Sequence, residues 1–223
     1  MDNIQELMNK IIGWLPALLE GAKVTVTLTV LSVMAGLVIS LFLALGKMSK
    51  KRILRWPCSA YIFFFRGTPL LMQLYFIYYA LPKMVPLFNI KSAAVAAFIG
   101  FALNIGAYLA EVIRAAIQSI DKGQFEAARA LGMSYGQTMK LIILPQSIRR
   151  LIPPVGNEFI MVLKDVSLVS VISMADTVKV TRGIASQAGN ELVYIPAMII
   201  YLIITAIFQF VFNKVEKKYS VYE

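Results

Sequence analysis

Long apolar blocks alternate with short polar ones along this chain. Val24 to Gly46, Ser92 to Ala110 and Leu192 to Phe212 contain no Asp, Glu, Lys or Arg, and each is close to the ~20 residues that carry a helix across a bilayer. Two further apolar stretches are interrupted: Trp56 to Leu81 contains Arg66, and Pro153 to Ala175 contains Glu158, Lys164 and Asp165. The pattern predicts an all-α, polytopic membrane protein, one domain over 1–223, with five transmembrane helices at 22–46, 56–81, 92–110, 153–175 and 192–212. Ahead of the first span, Ile4, Leu7, Met8, Ile11, Ile12 and Leu15 recur at helical spacing, which predicts a short amphipathic helix lying on the membrane interface. Between the third and fourth spans, residues 121–150 form a polar loop.

Composition agrees with this pattern. The 223 residues are 59% hydrophobic and 15% charged, with mean hydropathy +0.72, which is more apolar than a soluble domain of this length requires. Lysines and arginines set the orientation, since acidic residues add little to the positive-inside bias. Five fall in Lys47 to Arg55, six in Glu111 to Ile152 and three after Phe212, fourteen in all, against six in the intervening segments. The N-terminus is therefore expected outside, with the 121–150 loop and the C-terminus in the cytoplasm. The net charge of +10 reads as a topology signal, and nucleic acid is not an expected partner. MDNIQELMNK is acidic where a cleavable signal is basic, so the first helix is expected to remain. Cys58, the one cysteine, lies in an apolar stretch and reads as packing. The absence of histidine excludes His-based acid–base catalysis and His metal ligation, and no metal or cofactor is expected. Nor is there a GxxxxGK[ST] loop, so any ATP-driven work requires hydrolysis by a separate chain.

The 121–150 loop carries its own signals. Gly132 reads as a helix stop after Phe125 to Leu131; Ser134 with Gln137 three residues on is a capping-box pattern, and Pro145 is expected to end a second short helix over Ser134 to Ile143. Phe125, Ala128, Leu131, Met139, Ile142 and Ile143 give this pair an apolar side too small for a core of its own, which calls for a partner surface. Glu126, Ala127, Ala128, three residues, Gly132, nine residues, Ile142, one residue, then Leu144 and Pro145 resemble the EAA loop of ABC importer permeases at every fixed position. FRGTPLL from Phe65, LNIGAYLAEVIR from Leu103 and NEFIMVLKDVSLVSVIS from Asn157 are similar to the polar amino-acid branch of that family. The resemblance implies a bacterial inner-membrane transport subunit without enzymatic activity. It further implies two ATPase subunits, a second permease subunit, identical or related, and an extracytoplasmic amino-acid-binding protein. In such an assembly Glu126, Ala127, Ala128, Leu131, Gly132, Met133 and Ser134 would contact the ATPase as a coupling helix. A loop helix resting on lipid headgroups is the plainer alternative.

Polar groups inside the spans are the candidate substrate site, because lipid penalises them. Arg66-Gly67-Thr68-Pro69 interrupts the second span with a helix-start pattern, Thr68 as N-cap and Pro69 at the first helical position, beside an arginine suited to a carboxylate. A proline kink with a snorkelling Arg66 fits equally. Asn104, Ala107, Tyr108 and Glu111 form one stripe of the third span, where Asn104 and Tyr108 serve either substrate or interhelical hydrogen bonds. In the fourth span Glu158 and Asp165 share a face, with Asn157, Met161 and Lys164 on the adjoining stripe. If Lys164 neutralises Asp165, Glu158 is left to receive a cationic group of the substrate or to pair with Arg66 or a second subunit. The site residues predicted are Arg66, Thr68, Asn104, Tyr108, Asn157, Glu158, Met161 and Asp165, for a polar and preferentially cationic amino acid moved by alternating access. An ion-coupled secondary transporter would use Arg66 and Glu158 equally well; five spans without a visible repeat and the loop motif weigh against it.

Overall fold

The computed structural model describes residues 2–85 and 90–219, and the side chains of Ile4 and Leu7 and residues 86–89 of the loop after the second span lie outside the described residues. Among those described, every regular element is helical. The long first helix α1 (Asp2–Met48) has 47 residues, about 70 Å at 1.5 Å per residue and more than twice the bilayer core. The expected interfacial helix is therefore not set off by a break; it forms the first part of α1. Trp14, Leu15, Leu18 and Ala22 in this extension pack on Ala185, Val193, Ala197 and Ile200 of the chain's far end, so protein contacts hold the extension in line with the span.

α1 crosses α5 (Ala93–Gln118) at a reciprocal close approach. A Cβ on Gly36 would sit 2.7 Å from Ile105 Cγ2, and one on Gly106 would sit 2.7 Å from Ile39 Cγ2, so each glycine receives the other helix's isoleucine. Thr25, Thr29 and Ser40 on α1 are fully buried and return their hydroxyls to their own helix, Thr29 to Thr25 O at 2.8 Å and Ser40 to Leu37 O at 2.7 Å, which satisfies polar groups where no water is available. Leu74, Phe101, Ile105, Phe159, Val162 and Val166 form the central apolar cluster, and a second around Ile62, Ala107, Ile113, Ile117 and Ile143 lies toward the 121–150 loop.

The second span is broken. α2 (Arg52–Gly67) ends at Thr68, and α3 (Leu70–Tyr75) leaves at 104° and continues through a π turn over Phe76–Ala80 into α4 (Leu81–Met84). Thr68 is not the N-cap. Pro69 occupies that position in an extended conformation without a side-chain cap, because the Thr68 hydroxyl turns back to donate to Phe64 O at 2.8 Å.

The 121–150 loop begins with α6 (Lys122–Ala130), capped by Asp121, whose side chain accepts from Gly123 N at 2.7 Å. Gly132 follows at φ +74°, the left-handed conformation expected of it. α7 (Tyr135–Thr138) opens with the reciprocal capping box, Ser134 N donating to Gln137 Oε1 at 2.8 Å and Gln137 N to Ser134 Oγ at 3.3 Å. Pro145 does not end this helix. A π turn over Met139–Ile143 leads directly into α8 (Leu144–Asp165), and Leu144 N reaches back five residues to Met139 O. The wide turn absorbs the donor that proline lacks, so no break is needed.

α8 continues as a 3₁₀ segment over Val166–Ile172, ending at Ser173 with φ 63°. α9 (Thr177–Ala188) is capped by the fully buried Asp176, which accepts from Val178 N and Lys179 N at 3.0 Å each. After a 3₁₀ turn comes α10 (Tyr194–Tyr219), with Phe208 and Phe212 against Phe159. Among the described residues three helices, Met8–Met48, Ala93–Gln118 and Glu191–Tyr219, are long and apolar enough to cross a membrane, and the bent α2–α4 pair makes a fourth if counted as one span. The fifth expected span, 153–175, corresponds to the end of α8 and its 3₁₀ continuation, where Glu158, Lys164 and Asp165 dilute the apolar signal.

Candidate functional site

The break in the second span organises the site. Gln73, on the first turn of α3 and 6% exposed, donates its amide to Phe65 O at 3.0 Å, Thr68 O at 3.1 Å and Thr68 Oγ1 at 2.7 Å. Asn104 of α5 donates to Phe65 O at 3.1 Å and to Gln73 Oε1 at 2.9 Å. Carbonyls freed where α2 ends thus find partners in two side-chain amides, as irregular backbone inside a membrane protein requires. This clasp fixes Arg66 in the last turn of α2, where its guanidinium carbon lies 5.2 Å from the centre of the Tyr108 ring, a cation–π contact.

Opposite the break stands α8. Arg66, Thr68, Asn104, Tyr108, Glu158, Met161 and Asp165 line one cavity of about 330 Å³, with Pro69, Leu70, Phe101, Ile105 and Val162 supplying apolar wall. Seven of the eight residues singled out from sequence therefore meet in one space, drawn from three separate helices and the break after α2. Asn157 is the exception. It is exposed and does not line the cavity. Lys164 also departs from expectation: it lines a different, largely apolar space of about 520 Å³ between α8, α9 and α10, while Asp165 faces the central one. No ion pair within 4.0 Å joins Lys164 to Asp165 or Arg66 to Glu158 among the described residues.

The cavity therefore holds two carboxyl groups on one wall and one guanidinium on the other, without a direct bridge between them. Such an arrangement can receive a zwitterion: Arg66 offers bidentate donors to a carboxylate, and Glu158 and Asp165 offer acceptors to cationic groups. Asn104 spends both amide hydrogens on the clasp, which leaves its Oδ1 to accept from an ammonium. Thr68 is committed within the clasp through its bonds to Phe64 and Gln73.

Sequence reasoning missed Gln73. Its signal was a single amide in the otherwise apolar run after Pro69, five residues beyond Thr68. It also missed the partners of Glu111, which bonds Lys47 at the end of α1 and Arg114 one turn along α5 at 2.7 and 3.0 Å.

The 121–150 loop presents a different kind of surface. Phe125, Met139, Ile142 and Ile143 pack into the chain's own apolar cluster, and Ala128 is 1% exposed, so most of the apolar side expected to seek a partner is covered from within. Leu131, Tyr135 and Leu141 remain outside, at 80%, 70% and 64% exposed. Glu126, Ala127, Gly132 and Ser134 are exposed and Met133 is half-buried. The surface left for a partner is thus the turn around Gly132, without Ala128.

Residues 36–221 match the protein family described as binding-protein-dependent transport system inner membrane component. The chain is 42% identical over 208 residues to a probable amino-acid ABC transporter permease protein, YckA, of Bacillus subtilis, covering 93% of this chain and 91% of that one. It is 40% identical to the L-cystine transport system permease protein TcyB of the same organism, covering 93% and 88%, and 38% identical to its arginine transport system permease protein ArtQ, covering 92% and 93%. Among solved structures, a crystal structure of an amino acid ABC transporter with histidines superposes at a TM-score of 0.88 with 39% identity, covering 94% of this chain and 97% of that one.

Proposed function

The chain belongs to the family of binding-protein-dependent transport system inner membrane components, as a permease of the polar amino-acid branch of ABC importers, and from that premise we propose that it imports cationic amino acids of the arginine or lysine type. The observation that carries this reading is the pairing of Glu158 and Asp165 across one cavity from a single Arg66. Arg66 takes the α-carboxylate, Asn104 Oδ1 and one acid take the α-ammonium, and the remaining acid takes a guanidinium or ammonium side chain. Tyr108 and Met161 wall the stem. Lys164 opens into another space, so it acts on Asp165 through its field and leaves the carboxylate facing the cavity.

In this reading the five spans are those predicted from sequence, with the N-terminus outside. The turn from Glu126 to Ser134 lies in the cytoplasm and docks through Leu131 and the Gly132 backbone on a separate ATPase subunit. A second permease subunit and an extracytoplasmic binding protein complete the complex, and ATP-driven closure favours one of two existing arrangements of the helices. Membership of the family leaves the ion-coupled secondary transporter without support. Proteoliposomes loaded with ATP and containing the full complex test the substrate class: L-arginine and L-lysine should be taken up and compete with each other, with L-glutamine and L-cystine competing at least tenfold more weakly. Preferential uptake of glutamine or cystine would overturn the cationic assignment.

A further inference from the structure

Beside the central cavity lies another of about 330 Å³, lined by Lys47, Ser59, Ile62, Phe63, Arg66, Gly67 and Tyr108. The two spaces share Arg66, Gly67 and Tyr108, so the stacked guanidinium and ring are a common wall. The second space sits nearer the end of the bundle that carries the 121–150 loop. Lys47 is the penultimate residue of α1, and Ser59 is seven residues into α2, about 10 Å from its start.

The two cavities differ in charge. Glu158 and Asp165 face Arg66 in the central one, whereas the lining of the second holds the cations Lys47 and Arg66 and no acid. Lys47 bonds Glu111, which Arg114 also grips through two nitrogens. Lys47, Arg114 and Glu111 together therefore carry one surplus positive charge beside the second cavity. An amino acid leaving the central cavity in this direction would pass its carboxylate along one guanidinium that lines both spaces to an ammonium that lines only the second. Without that ammonium, a carboxylate released from Arg66 would cross a low-dielectric region uncompensated, which slows its passage.

We propose that the second cavity is a release subsite for the amino-acid carboxylate, with Lys47 taking it from Arg66 as the Arg66–Tyr108 contact opens. The inference rests on the amino-acid permease reading above. It is tested in the reconstituted full complex with radiolabelled L-arginine, L-glutamine and L-cystine presented in turn. For whichever of these the unmodified complex imports, Lys47→Gln should leave equilibrium affinity within about twofold while uptake per complex falls about tenfold. Lys47→Arg keeps the charge and should restore uptake to within about twofold of the parent. Glu111→Gln leaves Lys47 charged and keeps an oxygen acceptor beside it, and should retain uptake within about threefold. Parent-level uptake in Lys47→Gln would overturn the proposal. Equal losses in Lys47→Gln and Glu111→Gln, or no rescue by Lys47→Arg, would overturn it in favour of a structural ion pair. If the unmodified complex neither binds nor imports any of the three amino acids, the permease reading itself falls and this inference with it.

Discussion

Glu158→Gln keeps the side chain's shape and removes its charge, and its effect should depend on the substrate. Glu158 and Asp165 are seven residues apart on α8, about 10 Å along the axis, so a guanidinium held at one is mostly screened from the other. At 4 Å and an effective dielectric constant near 20, a single ion pair contributes about 4 kcal/mol. Arg66 across the cavity opposes part of this, and water in a cavity of this size screens more, leaving about 2 kcal/mol, or roughly 30-fold in affinity. Arginine and lysine should lose that factor. A neutral amino acid whose ammonium is shared with Asn104 and Asp165 should lose no more than about threefold. Because no ion pair within 4.0 Å holds Glu158 among the described residues, neutralising it relieves an intramembrane charge, and thermal stability of the purified complex should be unchanged or raised. The assay is substrate-stimulated ATPase activity of the reconstituted complex, titrated separately with arginine, lysine and glutamine. Equal losses for arginine and glutamine would assign Glu158 to the α-ammonium. A fall in thermal stability would assign it to a structural pair, and either result removes the case for a cationic substrate.

Gly132 at φ +74° has nothing within 4 Å of a Cβ, so Gly132→Val acts through backbone strain of ~1–2 kcal/mol alone; uptake per ATP hydrolysed should fall while the subunit still inserts, as measured by paired transport and hydrolysis rates. In a Cys58→Ala background, single cysteines at Lys83 or Lys91 should react with an impermeant thiol reagent from outside and one at Ser134 only after permeabilisation, and the reverse pattern would invert the topology. Gly36→Val should lower the thermal midpoint markedly by forcing apart α1 and α5, where a Cβ would meet Ile105 at 2.7 Å. Gly13→Ala, with open space around its Cβ, should be neutral or stabilising by up to ~1 kcal/mol.

Features set by neighbours in sequence were legible without the structure. The apolar runs, the capping box at Ser134 and Gln137, the left-handed Gly132 and the interruption at Arg66 to Pro69 all depend on hydrogen bonds or hydrophobic spacing within a few residues. So were the family motif and most of the polar residues that line the central cavity, because a charged or amide side chain in an apolar span needs a cavity or a partner wherever the chain goes. Tertiary structure decided which of those needs each residue meets. Asn104 and Thr68 are drawn into a clasp because α2 and α3 part at 104° and leave carbonyls for Gln73 and Asn104 to satisfy. Lys164 and Asp165 are adjacent in sequence yet open into different spaces, since about 100° of helical rotation separates neighbours and only packing determines what lies in each direction. Pro145 reads locally as a stop, but a π turn carries the helix past it. Lys47 and Glu111 are 64 residues apart, and no local rule pairs them. Only the crossing of α1 on α5, made close by Gly36 and Gly106, brings their ends together.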